Sequence, residues 1–250
     1  MDVLVCVKRV PDTGGKVTLT GDRRRIETGN LEFTISPHEE CAVEEAIRLT
    51  EAHGGEVTVL SLGPAATTEQ LREAIAKAAH KAILLESDSD DWDARATERA
   101  IVDAVQGKTY DLLMFGNEAA DLGQYQVGPR VATALGLPCV TGTQALSVER
   151  DKAVAKREQG NDWAVFEVPL PAVVTVKEGI NKPRHPSLRG IMAAKRAPLE
   201  QVRLDDPAPA MAHQALVLPP ASGGQVTMLG EGVGAVPKLV ETLQELGVLK

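Results

Sequence analysis

Two loops in this chain carry residue types that can cradle an anion. The first is Lys8-Arg9-Val10-Pro11-Asp12, which follows an apolar run at residues 3–7. The second is Gly116-Asn117-Glu118-Ala119-Ala120-Asp121-Leu122-Gly123-Gln124-Tyr125-Gln126-Val127-Gly128, between an apolar run at 112–115 and a helical pattern. Small residues let backbone N–H groups close on a ligand, and a helix start favours negative charge. A phosphate held there needs no lysine. The same composition also suits a plain helix-capping loop, and the residues alone leave both readings open.

Other chemistry finds little support. The chain has no G-x-x-x-x-G-K-[ST] and no G-x-S-x-G, and Gly230-Glu231-Gly232-Val233-Gly234 departs from G-x-G-x-x-G. His38, His53, His80, His185 and His213 are scattered without H-x-H or H-E-x-x-H spacing, so no metal is expected. Cys6, Cys41 and Cys139 are odd in number and far apart, as suits buried thiols in a reducing compartment such as the cytoplasm. Glu40, Glu44 and Glu45 share one helix and are expected to form its solvated face. The outline is a nucleotide-binding module without bond-making residues of its own.

The elements that must position these loops alternate strand and helix. Apolar runs at 3–7, 57–60, 82–85 and 112–115 read as buried parallel strands. Helical patterns fall at 37–50, 67–79, 94–105 and 124–135. Ser36 with Glu39 forms a capping-box signature with Pro37 at the first helical position, and Gly54-Gly55 ends that helix. Leu71, Ile75 and Ala78 mark one face of the second helix, and ESDSDDWD at 86–93 reads as a solvated turn. The order predicts an α/β fold, a doubly wound, mostly parallel, Rossmann-like sheet with right-handed crossovers. Shorter strands at 141–148, 153–158 and 163–168 follow, the last two flanking a hairpin turn at 159–162, and 172–176 can rejoin the sheet. The expected division is a nucleotide-binding body over 1–198 and an extended arm with a final helix over 199–250.

Composition agrees with this outline. A chain of 250 residues with 43% apolar content can bury a full core. Its net charge of −8 argues against general nucleic-acid binding, and its 3% aromatics against stacking platforms. The opening MDVLVCVKRV reverses the order of a secretory leader, and no run suits a membrane span, so neither is expected. The charge is uneven: residues 177–203 hold seven Lys/Arg against two Glu, net +5, leaving −13 elsewhere.

Five segments then carry a family likeness. VCVKRVPD, SPHEECAVEEAIRL, GNEAADLGQYQVGPRVATALGLP, VAKREQGNDWAVFEVPLPAVVTV and NKPRHPSLRGIMAAKR, in order over 1–196, resemble the beta subunit of electron-transfer flavoproteins. The resemblance implies a heterodimer with an alpha subunit that holds most of an FAD. It implies electrons received from dehydrogenases, often acyl-CoA dehydrogenases, and passed to a quinone reductase. It implies a structural AMP on the beta chain or, in the bifurcating minority, a second FAD in its place. An ATP-binding module related to universal stress proteins is the reading from another class.

Carried across by the resemblance, Cys6 meets the adenine side, and Leu62 lines the cleft. Ser36, Pro37, His38 and Glu39 match a nucleotide motif that usually opens with Asn. The loop from Gly116 to Gly128 is the main cradle, with N–H groups of Gln126 to Gly128 on the phosphate. The resemblance further implies partner docking through Ile180, an apolar anchor ringed by Lys177, Lys182 and Arg184.

Overall fold

A computed structural model describes residues 1–250 except 13, 15, 16, 209, 212, 213, 221–225 and 250. Its elements in chain order are β1 (Val3–Cys6), β2 (Arg9–Pro11), β3 (Phe33–Ile35), α1 (Pro37–His53), β4 (Val57–Gly63), α2 (Thr68–Ala76), β5 (Lys81–Glu86), α3 (Ala94–Val105), β6 (Leu112–Gly116), α4 (Val127–Leu135), β7 (Cys139–Thr143), β8 (Ala145–Glu149), β9 (Lys152–Gln159), β10 (Asp162–Pro169), β11 (Ala172–Val176), α5 (Leu188–Ala194), β12 (Leu199–Arg203) and α6 (Val236–Glu245).

β1 and β11 are apolar throughout, apart from Thr175, because helices cover the sheet on both sides. Seven strands pair in the order β12-β5-β4-β1-β6-β11-β7. All six pairings are parallel, with Val3 opposite Val57 of β4 and Leu112 of β6. The α/β doubly wound expectation therefore holds, and the order reverses beside β1, where its neighbours are β4 and β6. Such a switch point opens a crevice at the carboxyl ends of the strands. One core packs Ala42, Val43, Ala46 and Ile47 of α1 and Leu71 of α2 on Val3, Val5 and Met114. The other packs Ile101 and Val105 of α3 and Val131 of α4 on Leu4, Leu60, Leu113 and Phe115.

Local chemistry explains where the structure departs from the expected elements. Ser36 does not close a capping box: its Oγ accepts from the Ala120 N–H at 3.2 Å, and the Glu39 carboxylate turns to the Lys8 N–H. α2 stops at Ala76, and Ala78 sits exposed at φ 101°, so Ala74 takes its place in the buried stripe. α4 opens at Val127 rather than 124, after Tyr125 at φ 57°. The acidic stretch at 86–93 is not merely solvated. Trp92 Nε1 donates to Ser87 Oγ at 2.9 Å, and Asp93 caps α3 through the Ala96 N–H at 2.7 Å. The strand expected over 141–148 divides into β7 in the main sheet and β8, which joins β9 and β10 in a small antiparallel sheet.

The expected limit at 198 falls before β12, which hydrogen-bonds to the β5 edge. The chain forms two compact units, Met1–Gln214 and Ala215–Lys250. The second unit holds α6, whose Val236, Leu239 and Val240 are exposed. Part of the arm expected within 199–250, and His213 with it, lies outside the described residues.

The acidic face of α1 is another correction. Glu44 and Glu45 are buried under the segment that follows β11. Arg184 reaches Glu44 Oε2 at 2.9 Å and Glu51 Oε1 at 2.7 Å, while Asn181 Nδ2 donates to the Cys41 carbonyl and to Glu45 Oε2. Glu40 pairs with Lys77 Nζ at 2.5 Å. Burial alone raises the Glu44 carboxyl, but the Arg184 hydrogen bonds and charge outweigh it and hold it below the usual carboxylate range. A carboxylate with a depressed pKa stabilises the fold above its unfolded value and loses that contribution on acidification. Arg184→Ala is therefore expected to cost about 1–3 kcal/mol, below the full buried-pair figure because Arg184 is partly exposed. The gap to the parent in denaturant midpoint should be widest above about pH 5 and close as pH falls. A gap independent of pH would refute the pairing.

Candidate functional site

The switch-point crevice is a cleft of about 150 Å³ that opens to solvent. Its floor is apolar: Cys6 ends β1, Leu60 and Leu62 lie on β4, and Phe115 lies on β6 just before its last residue. Ile101, Thr97 and Ala94 of α3 and Trp92 form one wall. Asn117, Glu118, Ala119, Leu122, Gln124, Tyr125 and Gln126 of the β6–α4 loop form the other, and Val127, Gly128 and Pro129 close it as α4 begins.

Three chain segments are tied together at the rim. Lys8 donates its N–H to Glu39 and pairs its Nζ with Asp121 Oδ2 at 2.6 Å. The Ser36–Ala120 hydrogen bond fastens the α1 start to the β6 loop. Asn117 Oδ1 accepts from Thr175 Oγ1 at 2.7 Å, and the Asn117 N–H donates to the Val176 carbonyl, which fastens the loop to β11. Two glycines are required by close approach. A Cβ on Gly116 would lie 2.6 Å from Glu39 Cγ, and one on Gly128 would lie 2.6 Å from Thr175 Cγ2. At the opening of α4, the Val127 and Gly128 N–H groups have no intrahelical acceptor, so they are free to meet an anion.

The electrostatics single out Glu39. It is buried, and burial pushes its carboxyl up to about 8, against the Lys8 N–H and charge, which lower it. Burial likewise pushes the Cys6 thiol up, with the Glu39 charge adding to it. Ser61 Oγ, on a residue that lines the cleft, is buried and takes no hydrogen bond among the described residues.

Of the residues expected at the site, the structure gathers Cys6, Glu39, Leu62, Gly116, Asn117, Glu118, Ala119, Leu122, Gln124, Tyr125, Gln126, Val127 and Gly128 around the cleft. Ser36, Ala120 and Asp121 stand behind it as ties. Pro37, His38 and Gly123 do not line it. Sequence reasoning missed Ser61, Trp92, Thr97 and Thr175, and it placed Lys8 in an anion-cradling loop, whereas its Nζ pairs with Asp121. Trp92 was the available signal: an aromatic in an acidic turn is out of place on a fully solvated surface.

The segment expected to dock a partner follows β11 and carries α5. Ile180 is half-buried against the α1 side of the core, and Arg184, partly exposed, pairs with Glu44 and Glu51. Lys177 donates its N–H to the Thr143 carbonyl, and Lys182 is exposed. The apolar residues that do face solvent are Leu188 at 83%, Met192 at 57% and Ile191 at 37% exposure, all on α5.

Comparison with known proteins agrees with this architecture. The family model for the electron transfer flavoprotein domain matches residues 25–207. The chain is 37% identical to the electron transfer flavoprotein subunit beta of Bacillus subtilis over 208 residues, covering 82% of this chain and 80% of that one. It is 35% identical to the subunit of the same name from Syntrophomonas wolfei, over 98% of this chain and 96% of that one. It is 32% identical to the caffeyl-CoA reductase-Etf complex subunit CarD of Acetobacterium woodii, over the whole of both.

The Gly116 contact can be tested by a double-mutant cycle. Gly116→Ala should cost about 1–3 kcal/mol of unfolding free energy. In a Glu39→Ala background most of that cost should vanish, because the Cγ it strikes is gone. Additive costs would show that the two residues do not meet.

Proposed function

The chain belongs to the electron transfer flavoprotein family as a beta subunit, and on that premise we propose that it binds AMP as a structural group in the cleft at the ends of β1, β4 and β6. The observation that carries this reading is the pairing of an apolar floor with α4-start N–H groups that have no side-chain cap among the described residues. A base fits the first, and a phosphate the second. Gly116 and Gly128 let Glu39 and Thr175 close in beside the cleft, where any larger residue would push them away.

The family's flavin supplies the redox chemistry when bound. In this reading most of the FAD sits on an alpha subunit, and this chain helps enclose it. Its residues bind, orient and exclude water. The exposed apolar side of α6 and the Pro-rich arm are the surfaces offered to that partner. Dehydrogenases, such as acyl-CoA dehydrogenases, dock on this chain, and electrons continue to a quinone reductase. The setting is the cytoplasm, with neither nucleic acid nor membrane insertion involved. No helix among the described residues is long and apolar enough to cross a membrane. The ATP-module reading gives way to the family.

For docking, the exposed apolar trio of α5 supersedes Ile180. Leu188, Ile191 and Met192 stand close in sequence to the exposed Arg189, Lys195 and Arg196, a composition that suits a transient contact with an apolar centre and charged surroundings.

Two measurements test the reading. Denaturing the purified heterodimer should release one flavin and one AMP; two flavins without AMP would assign the cleft to a second FAD. Leu188→Glu should lower kcat/KM for reduction by an acyl-CoA dehydrogenase by about tenfold, roughly 1.4 kcal/mol, with flavin content unchanged. Ile180→Ala should lower stability and leave that rate near the parent's. The reverse pattern would return the anchor to Ile180.

A further inference from the structure

We propose that Trp92 holds the base of the bound nucleotide, its ring packing on the adenine at the end of the cleft away from α4. The proposal rests on the AMP reading above and adds one base-contacting residue to it.

The strand order sets the two ends of the cleft apart. α4 starts over β6 and β11, where Gly128 lies against Phe115 and Thr175. Trp92 is tied to the other end. Ser87, which follows β5, donates its N–H to the carbonyl of Gly63, the last residue of β4, at 3.0 Å. The Ser87 Oγ in turn accepts from Trp92 Nε1 at 2.9 Å. The strands between these ends run β5-β4-β1-β6-β11. From β5 to β6 is three strand spacings, roughly 14 Å, about the length of an extended mononucleotide. A phosphate at the α4 start therefore leaves its base beside β4 and Trp92.

The ring is aimed and held. Asp91 and Asp93 do not line the cleft, whereas Trp92 between them does, so its side chain is what reaches the cavity. Its single polar atom, Nε1, is committed to Ser87, which leaves ring carbon for the cleft. Ser87 Oγ also accepts the Ser89 N–H at 3.2 Å, and Asp93 caps α3 through the Ala96 N–H at 2.7 Å, so the chain is fixed on both sides of the tryptophan. Leu60, Leu62, Ala94 and Ile101 complete this end of the cleft with hydrocarbon. The acids of the turn, Asp88, Asp90 and Asp91, do not line it. A flat, uncharged group suits such a place, and a phosphate does not.

One ring is enough for one base. Stacking on an aromatic side chain draws on the π-face that every base has, so Trp92 favours a base over none without choosing which base. That separates it from the N–H groups at the α4 start, which act on the phosphate alone. A ligand with phosphate and sugar but no base can use the second contact and not the first.

The test uses the purified heterodimer stripped of nucleotide and titrated calorimetrically with AMP and with ribose 5-phosphate. Trp92→Ala should weaken AMP binding by about tenfold to a hundredfold and leave ribose 5-phosphate binding as in the parent. Trp92→Phe should bind AMP within about threefold of the parent, since a phenyl ring also stacks. AMP should shift the tryptophan bands of the near-ultraviolet circular dichroism in the parent and not in the Trp92→Phe complex. That comparison decides the matter if Trp92→Ala does not assemble: the same shift in both complexes, or none in either, would overturn the contact. Equal losses of AMP and ribose 5-phosphate by Trp92→Ala, or no loss of AMP, would overturn it too and leave the AMP reading standing. Failure of AMP to bind the folded parent complex would overturn the AMP reading and this contact together.

Discussion

The cleft depends on one close approach. The carboxyl end of β6 and the first turn of α1 come within contact of each other because Gly116 has no side chain and Glu39 fills the gap. Once these two are together, the rest of the rim is determined. Lys8 at the end of β1 can donate to Glu39, Ser36 can reach Ala120, and Lys8 can close on Asp121. The parallel sheet places all these ends on one edge, since every strand points the same way. The helix cores on its two faces hold that edge rigid, with Leu4 and Met114 at zero exposure. Binding geometry here is a property of strand ends that a loop then trims.

The sheet and the position of the cleft could be read from the sequence because both follow from periodicity. A run such as VLVC has no polar face, so it must be covered twice, and alternating runs and amphipathic stretches leave few topologies. The rim was harder to read because its signals have two uses. Ser36 and Glu39 at a spacing of three look like a capping box. Tertiary contacts give both side chains other partners and leave the helix start to the backbone. Glu44 and Glu45 look like a solvated face only while the segment that covers them is out of view. Contacts across some 140 positions, like those of Arg184 with Glu44, have no local signature.

Arg184 and Asn181 also explain why the docking segment reads differently in three dimensions. A basic stretch with one isoleucine suggests an apolar anchor among charges. The structure divides the stretch into a part that holds and a part that shows. Ile180 packs against the core, and Asn181 and Arg184 fasten the stretch to α1 through Glu45 and Glu44, buried acids that Arg48 also approaches. With that part fixed, the short helix α5 stands with its apolar residues outward, supported on α2 by the close approach of Gly190 to the Ala76 carbonyl.

β12 gives this arrangement a further property. The stretch between β11 and β12 leaves the sheet next to one edge and returns at the opposite edge, beyond β5. Both of its ends are therefore stitched into the sheet by ladder hydrogen bonds, while its middle is held by a few side chains. The exposed face of a stretch bounded in this way can vary in residue type without moving any strand of the sheet.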